Sequence, residues 1–273
     1  MKKFLTRTAS GAVLLLILSS AFIVGNYYLW GLFVLISFVG MQEVFNATKT
    51  DDKTDLLKYI AFVGMLAYYA TILLFAQNLF ANLIFVIILT LLIMMCVCVF
   101  DYPKYKLYDI SRSLFTFCYV GIMLSFVYLT RQSEMGIYLV WLIIISSWGC
   151  DTCAYLVGCT IGKHRLAPVL SPKKSIEGSV GGSLGAMGLG ALFGLYLSNY
   201  AGVGSEYVWK FAIISFAASI CSQIGDLMAS AIKREFGVKD YGKFIPGHGG
   251  VMDRFDSVIV TAPIIYFLGA FLR

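Results

Sequence analysis

Nine stretches of the chain are apolar over lengths that match a lipid bilayer, and this pattern limits the fold more than any motif does. A helix needs about 17 to 25 mostly apolar residues to cross the hydrocarbon. Such stretches lie near residues 10–25, 29–46, 58–76, 80–100, 112–130, 137–158, 177–198, 208–231 and 255–272. Of the 273 residues, 59% are hydrophobic and 13% charged, against about 25% charged in a soluble domain. Backbone polar groups in lipid must be satisfied within their own segment. The expected fold class is therefore all-α, a polytopic bundle of about nine transmembrane helices forming one integral membrane domain over residues 1–273.

The basic residues orient the bundle. With a cytoplasmic N-terminus, 18 of the 21 Lys and Arg fall on the cytoplasmic side, leaving Arg131, Lys210 and Arg273 outside; such a bias is the positive-inside pattern. The formal charge of +6 then reflects orientation and contact with anionic membrane lipids, and no nucleic-acid partner is expected. Lys2, Lys3 and Arg7 before an apolar run also resemble a secretory signal cleavable after Ala21. Retention as the first span fits the charge bias better. The seven cysteines lack histidine partners at metal-binding spacing and read as small buried hydrophobes.

Residues 1–132 read as mainly scaffold spans, with Glu43 near a cytoplasmic end as the ionisable residue inside a span. Residues 133–273 read as the catalytic half, with cytoplasmic loops at 159–176 and 232–254. In the sixth span Asp151 sits at membrane depth, with Ser147 and Tyr155 four residues either side on its face. A carboxylate there marks a functional candidate by default, since its burial in lipid is costly. The following loop carries Lys163, Arg165, Lys173 and Lys174, and Ser175 with Glu177 predicts a capped helix start. The glycines at 178/182, 181/185 and 190/194 have GxxxG spacing, which predicts close helix packing within or between subunits.

Ser222, Asp226, Ser230 and Lys233 share one helix face, with Arg234 beside it. Beyond them a loop carries Lys239, Lys243 and Gly247, His248, Gly249 and Gly250, then Asp253, Arg254 and Asp256. Glycines at that density let backbone N–H groups approach an anion. Five basic residues face five acidic ones across this region, which is not the composition of a simple phosphate clamp. Carboxylates hold Mg²⁺, Mg²⁺ holds phosphates, and Lys and Arg take the remaining charge. A nucleotide polyphosphate with its metal satisfies both signs.

Ser230 to Asp256, SAIKREFGVKDYGKFIPGHGGVMDRFD, resembles the signature of the phosphatidate cytidylyltransferases, and DTCAYLVG with SPKKSIEG at 151–158 and 171–178 resembles their upstream region. Cys153 stands where many relatives are expected to have Gly or Ala. The resemblance implies transfer of a cytidylyl group from CTP to phosphatidate drawn from the cytoplasmic leaflet of a bacterial cytoplasmic (inner) membrane, by a homodimer. Asp226 and Asp253 are then expected Mg²⁺ ligands, Asp256 a ligand to the same or a second cation, and Asp151 a cation or supporting residue. Lys233, Arg234 and Arg254 are assigned to CTP phosphates, Lys173 and Lys174 to the lipid phosphate, and Ser222, Ser230, Lys239, His248, Gly249 and Gly250 to substrate binding. A CTP-using enzyme acting on another lipid, such as a polyprenol kinase or an archaeal-type lipid cytidylyltransferase, and a secondary transporter are the competing readings.

Overall fold

A computed structural model describes residues 2–48, 56–247 and 249–271. Nine helices make up almost all of the described residues: α1 Lys2–Val24, α2 Asn26–Ala47, α3 Leu56–Leu74, α4 Leu79–Phe100, α5 Leu107–Gln132, α6 Gly136–Ile161, α7 Ile176–Tyr200, α8 Tyr207–Glu235 and α9 Met252–Ala270. Their order and number follow the nine apolar stretches. Seven of them, α2 to α8, are long and apolar enough to cross a membrane, and the chain is an integral membrane protein. The apolar part of α1 is the 17-residue stretch Thr8–Val24. In α9, Asp253, Arg254 and Asp256 place three charges within the first five residues.

Lipid tails are as apolar as leucine, so helices in a bilayer associate through close packing and interhelical hydrogen bonds. Both operate here. Phe33 of α2 and Trp148 of α6 each meet Phe255 of α9 edge-on, with ring centroids 6.2 and 6.3 Å apart. Ser37 of α2 bonds the Tyr69 hydroxyl of α3 at 2.8 Å. Arg131 on α5 donates from Nε to the carbonyl of Phe22 at 2.7 Å, satisfying one of the orphan carbonyls at the end of α1. The core runs through α1, α2, α3, α5, α6, α8 and α9. By contrast, only Leu83, Thr90 and Met94 of α4 are buried, so that helix lies at the periphery.

The glycine faces of α7 are used inside the chain. A Cβ on Gly178 or Gly182 would collide with the α6 backbone, and one on Gly190 or Gly194 with α8. Of the two packings open to the GxxxG spacings, the one within the subunit is found, and α7 lies sandwiched between α6 and α8. The seven cysteines form no disulfide.

Two features leave no periodic trace in the sequence. Residues Phe117–Ile122 of α5 and Ile145–Gly149 of α6 form π-turns, which insert an extra residue into the helical register. The second turn rotates Ser147 off the Asp151 face: it is buried and its hydroxyl bonds the carbonyl of Ile143, while Asp151 and Tyr155 open to one cavity. The other is a hairpin of β1 Arg165–Ala167 and β2 Ser171–Ser175 between α6 and α7.

Candidate active site

One end of the bundle gathers the candidate site residues of the second half. Four elements bring them together: the hairpin, the last turns of α8, the first turns of α9 and the middle of α6. Alternation along β2 points successive side chains to opposite sides. Lys174 accordingly turns onto Asp226 of α8 and forms an ion pair with it, while Lys173 stays exposed at the cavity rim. Ser175 ends the strand and caps α7 as its position predicts, accepting from the Gly178 N–H at 3.1 Å. Glu177 accepts from the backbone N–H groups of Lys163 and His164, which ties down the turn before the hairpin. Arg234 donates to the carbonyl of Leu170, holding the hairpin tip against α8.

Asp253 organises the loop that precedes α9. Its Oδ1 accepts from Lys233 Nζ at 2.9 Å; its Oδ2 accepts from the N–H groups of Tyr241 at 2.8 Å and Gly250 at 3.0 Å. The pair is nearly enclosed, with side-chain exposures of 15% for Lys233 and 6% for Asp253. Buried ion pairs are tolerated where further hydrogen bonds satisfy the charges, as they do here. Lys233 also lies 5.3 Å from the Tyr241 ring centroid, and Tyr241 donates its hydroxyl to Ala229. Burial pushes that phenol above its ordinary range. Gly249 has φ +88°, in the left-handed region that favours glycine, and a Cβ there would press on Asp253 Oδ2.

Asp151, Asp226 and Asp256 come from α6, α8 and α9 and lie near enough for their charges to repel one another. Lys174 and Arg254 act on Asp151, and Lys233 acts on Asp256, in the opposite sense. Asp256 is buried and accepts from the Ser257 N–H. Arg254 lines a smaller cavity between α1 and α6 with Asp151. Ser222 is buried on the α8 face one turn before Asp226, its hydroxyl without a hydrogen-bond partner among the described residues. Ser230 is half-buried and Lys239 exposed, and His248 lies outside the described residues.

The first half supplies two groups that sequence reasoning missed. Glu43 of α2, 6% exposed, accepts from the N–H groups of Val251 at 3.0 Å and Met252 at 2.8 Å, so its carboxylate caps the N-terminus of α9. Gly242 and Gly250 pack so closely on it that a Cβ at either would overlap the carboxylate. Tyr119, in the π-turn of α5, lies within electrostatic range of Asp226 and Asp256. Its hydroxyl is buried and unpartnered among the described residues. An ionisable residue at a span end was the one available signal for Glu43; nothing in the sequence singles out Tyr119.

Hard oxygen donors beside orphaned buried hydroxyls fit a cation such as Mg²⁺. Among the described residues no group of three or more His, Cys, Asp or Glu is drawn together tightly enough to hold an ion alone. Mg²⁺ is usually held by one or two carboxylates and completed by substrate phosphates and water. Asp226 pairs with Lys174 through Oδ2 and Asp256 accepts from the Ser257 N–H through Oδ1, whereas both oxygens of Asp253 are engaged.

Next to the carboxylates lies a cavity of about 520 Å³, lined among others by Asp151, Arg165, Lys173, Lys174 and Asp226. A pocket between transmembrane helices with two carboxylates, Asp151 and Asp226, facing Arg165, Lys173 and Lys174 defines an integral membrane enzyme handling a charged substrate. The chain belongs to the cytidylyltransferase family, whose model matches residues 5–272. It is 30% identical over 267 residues to a phosphatidate cytidylyltransferase of Staphylococcus epidermidis and 31% identical to one of Staphylococcus aureus, in each case across 96% of this chain and 97% of the relative. A Staphylococcus haemolyticus protein of the same name is 30% identical over the same shares.

Proposed function

We propose that the chain transfers a cytidylyl group from CTP to phosphatidate, forming CDP-diacylglycerol and pyrophosphate at the cytoplasmic face of a bacterial inner membrane. The observation that carries this reading is the convergence of Asp151, Asp226 and Asp256 with Lys174, Lys233 and Arg254 beside a cavity edged by the basic hairpin. Relatives named for this reaction match along nearly the whole chain.

Phosphatidate brings its own nucleophile. A phosphate monoester with a second pKa of about 6 is largely dianionic at neutral pH, so no side-chain base is required. A phosphatidate oxygen bonds to the α-phosphorus of CTP while the bond from that phosphorus to the bridging oxygen breaks, and pyrophosphate leaves with the electron pair. The protein's task is in-line alignment and charge neutralisation.

Lys173 and Lys174 hold the lipid phosphate, and Lys174 exchanges its bond to Asp226 for one to phosphate. Lys233, Arg234 and Arg254 take the CTP phosphates, with Lys239, His248, Gly249 and Gly250 supplying donors from the loop. Ser222 and Ser230 add hydrogen bonds along the α8 face. Asp226 and Asp256 would hold Mg²⁺, with Asp151 beside them and room in the charge balance for a second cation; Asp253, whose oxygens already accept from Lys233 and the loop N–H groups, would reach a metal through a remaining lone pair or by releasing one of those donors. When bound, Mg²⁺ offsets the phosphate charge that builds during displacement.

The test is purified protein in detergent and phosphatidate micelles with Mg²⁺ and CTP labelled at the α-phosphate. Label is expected in a lipid that runs as CDP-diacylglycerol, and its appearance should stop with EDTA and in Asp226→Asn. Lipid marked instead from CTP labelled at the γ-phosphate would make the protein a lipid kinase.

A further inference from the structure

A second cavity, of about 250 Å³, lies between α1 and α6 and shares Asp151 with the larger one. Leu14 and Leu15 of α1 wall one side; Trp148, Thr152 and Arg254 stand opposite. The aromatic wall is held in place. Trp148 donates from Nε1 to the carbonyl of Arg254 at 3.1 Å and meets Phe255 edge-on, with ring centroids 6.3 Å apart. Thr152 donates its hydroxyl to the Trp148 carbonyl at 2.8 Å; with that proton committed, its oxygen is left as an acceptor. Ser10, the residue before Gly11 of the cavity wall, donates to the carbonyl of Pro246 at 3.0 Å. That bond ties the basic, glycine-rich loop before α9 to the turn of α1 that lines the cavity.

We propose that the α1–α6 cavity seats the nucleoside of CTP, with the base against Trp148 and its amine on the Thr152 hydroxyl, so that Thr152 distinguishes cytosine from uracil. The inference rests on the CTP reading proposed above. Three properties select this occupant. An acyl chain would strip water from the Asp151 carboxylate and the Thr152 oxygen without replacing it, which is costly; the amine and ribose hydroxyls of a nucleoside supply the missing donors. Sites for drug-sized ligands start at about 300 Å³, so this cavity suits a base with its sugar and not a two-tailed lipid. An aromatic wall stacks on any base, which leaves identity to the hydrogen bonds. Cytosine carries an amine where uracil carries a carbonyl; against an acceptor the amine pairs and the carbonyl is repelled. Because Asp151 borders both cavities, a nucleoside in one and a lipid phosphate in the other converge on the same carboxylates.

The experiment separates the two substrates by their KM values. Full-length Leu15→Trp, Leu16→Trp and Thr152→Val are assayed in nanodiscs containing dioleoyl phosphatidate, with CTP or UTP. Leu15→Trp fills the cavity and is expected to raise KM for CTP at least tenfold while KM for phosphatidate holds. Leu16→Trp, at a position 70% exposed and outside the cavity wall, changes neither. Thr152→Val keeps the shape and is expected to lower the ratio of kcat/KM for CTP to that for UTP about tenfold, a readout that a purely structural defect does not move. 5-Azido-CTP is expected to label peptides covering residues 11–15 and 148–152, and excess CTP to protect them. A rise in KM for phosphatidate in place of CTP would hand the cavity to the lipid, and unchanged KM values with label elsewhere would leave it without the nucleoside; either result overturns the proposal. A wild-type protein that forms no CDP-lipid yet takes 5-azido-CTP label at these peptides loses the acceptor and keeps the nucleoside slot, whereas absence of both product and label overturns both.

Discussion

Two aspartates on facing helices do different work, and their asparagine variants should separate. Asp253 holds a buried lysine and two loop N–H groups. Asp253→Asn leaves Lys233 enclosed without its counter-charge, which is expected to cost about 3 kcal/mol of stability. Asp226 and Lys174 are each about a quarter exposed, so Asp226→Asn should cost under about 1 kcal/mol while abolishing transfer. Thermal unfolding in detergent beside the transfer assay checks this; equal stability losses would mean that Asp226 too is chiefly structural. Tyr119 makes the opposite case. Its buried hydroxyl has no partner among the described residues, so Tyr119→Phe removes an unsatisfied group and should leave stability unchanged or raise it by about 1 kcal/mol. If the hydroxyl serves substrate or cation, the same variant loses tenfold or more in kcat; normal turnover would return it to scaffold.

At the scale of elements, the first turn of α9 is the part that the rest of the site depends on, and Glu43 holds it. The carboxylate satisfies two orphan N–H groups at a helix start, where negative charge is favoured. Glu43→Gln keeps the size but turns one acceptor into a donor facing an N–H. Stability is expected to fall by about 1 kcal/mol, and amide exchange over residues 249–255 should rise while that of α4 stays unchanged. Transfer should drop chiefly through kcat, because Asp253 and Asp256 ride on that turn. Exchange that rises equally everywhere would make Glu43 a general stabiliser. Asp151, Asp226 and Asp256 were legible in the sequence because a charge interrupting an apolar run is conspicuous. Glu43 and Tyr119 were not: Glu43 finds its N–H partners 208 and 209 residues away, and Tyr119 is aimed by a π-turn that leaves no mark on hydrophobic periodicity. The hairpin escaped for a related reason. Its strands are three and five residues long, and their charged side chains follow no hydrophobic alternation.

For the whole molecule, the number and order of the helices were legible from apolar length alone, since a bilayer leaves the backbone few other solutions. Which helices touch was not, and the glycine-rich α7 could equally have faced another subunit. Orientation across the membrane is the remaining property of the molecule that the charge pattern predicts. The hairpin, the loop before α9 and Glu43 at the end of α2 all belong to one end of the bundle, whereas Arg131 and the start of α8 belong to the other. If the site end faces the cytoplasm, where CTP is, then Lys239 and Lys243, both exposed on the loop, are open to protease from that side only. Trypsin added to inverted membrane vesicles is therefore expected to cut the chain between α8 and α9, and substrate binding should slow the cut. Sealed right-side-out vesicles should leave that loop intact. The reverse pattern would put the carboxylates and lysines on the outer face, away from any nucleotide pool, and would remove the reason for assigning CTP to them.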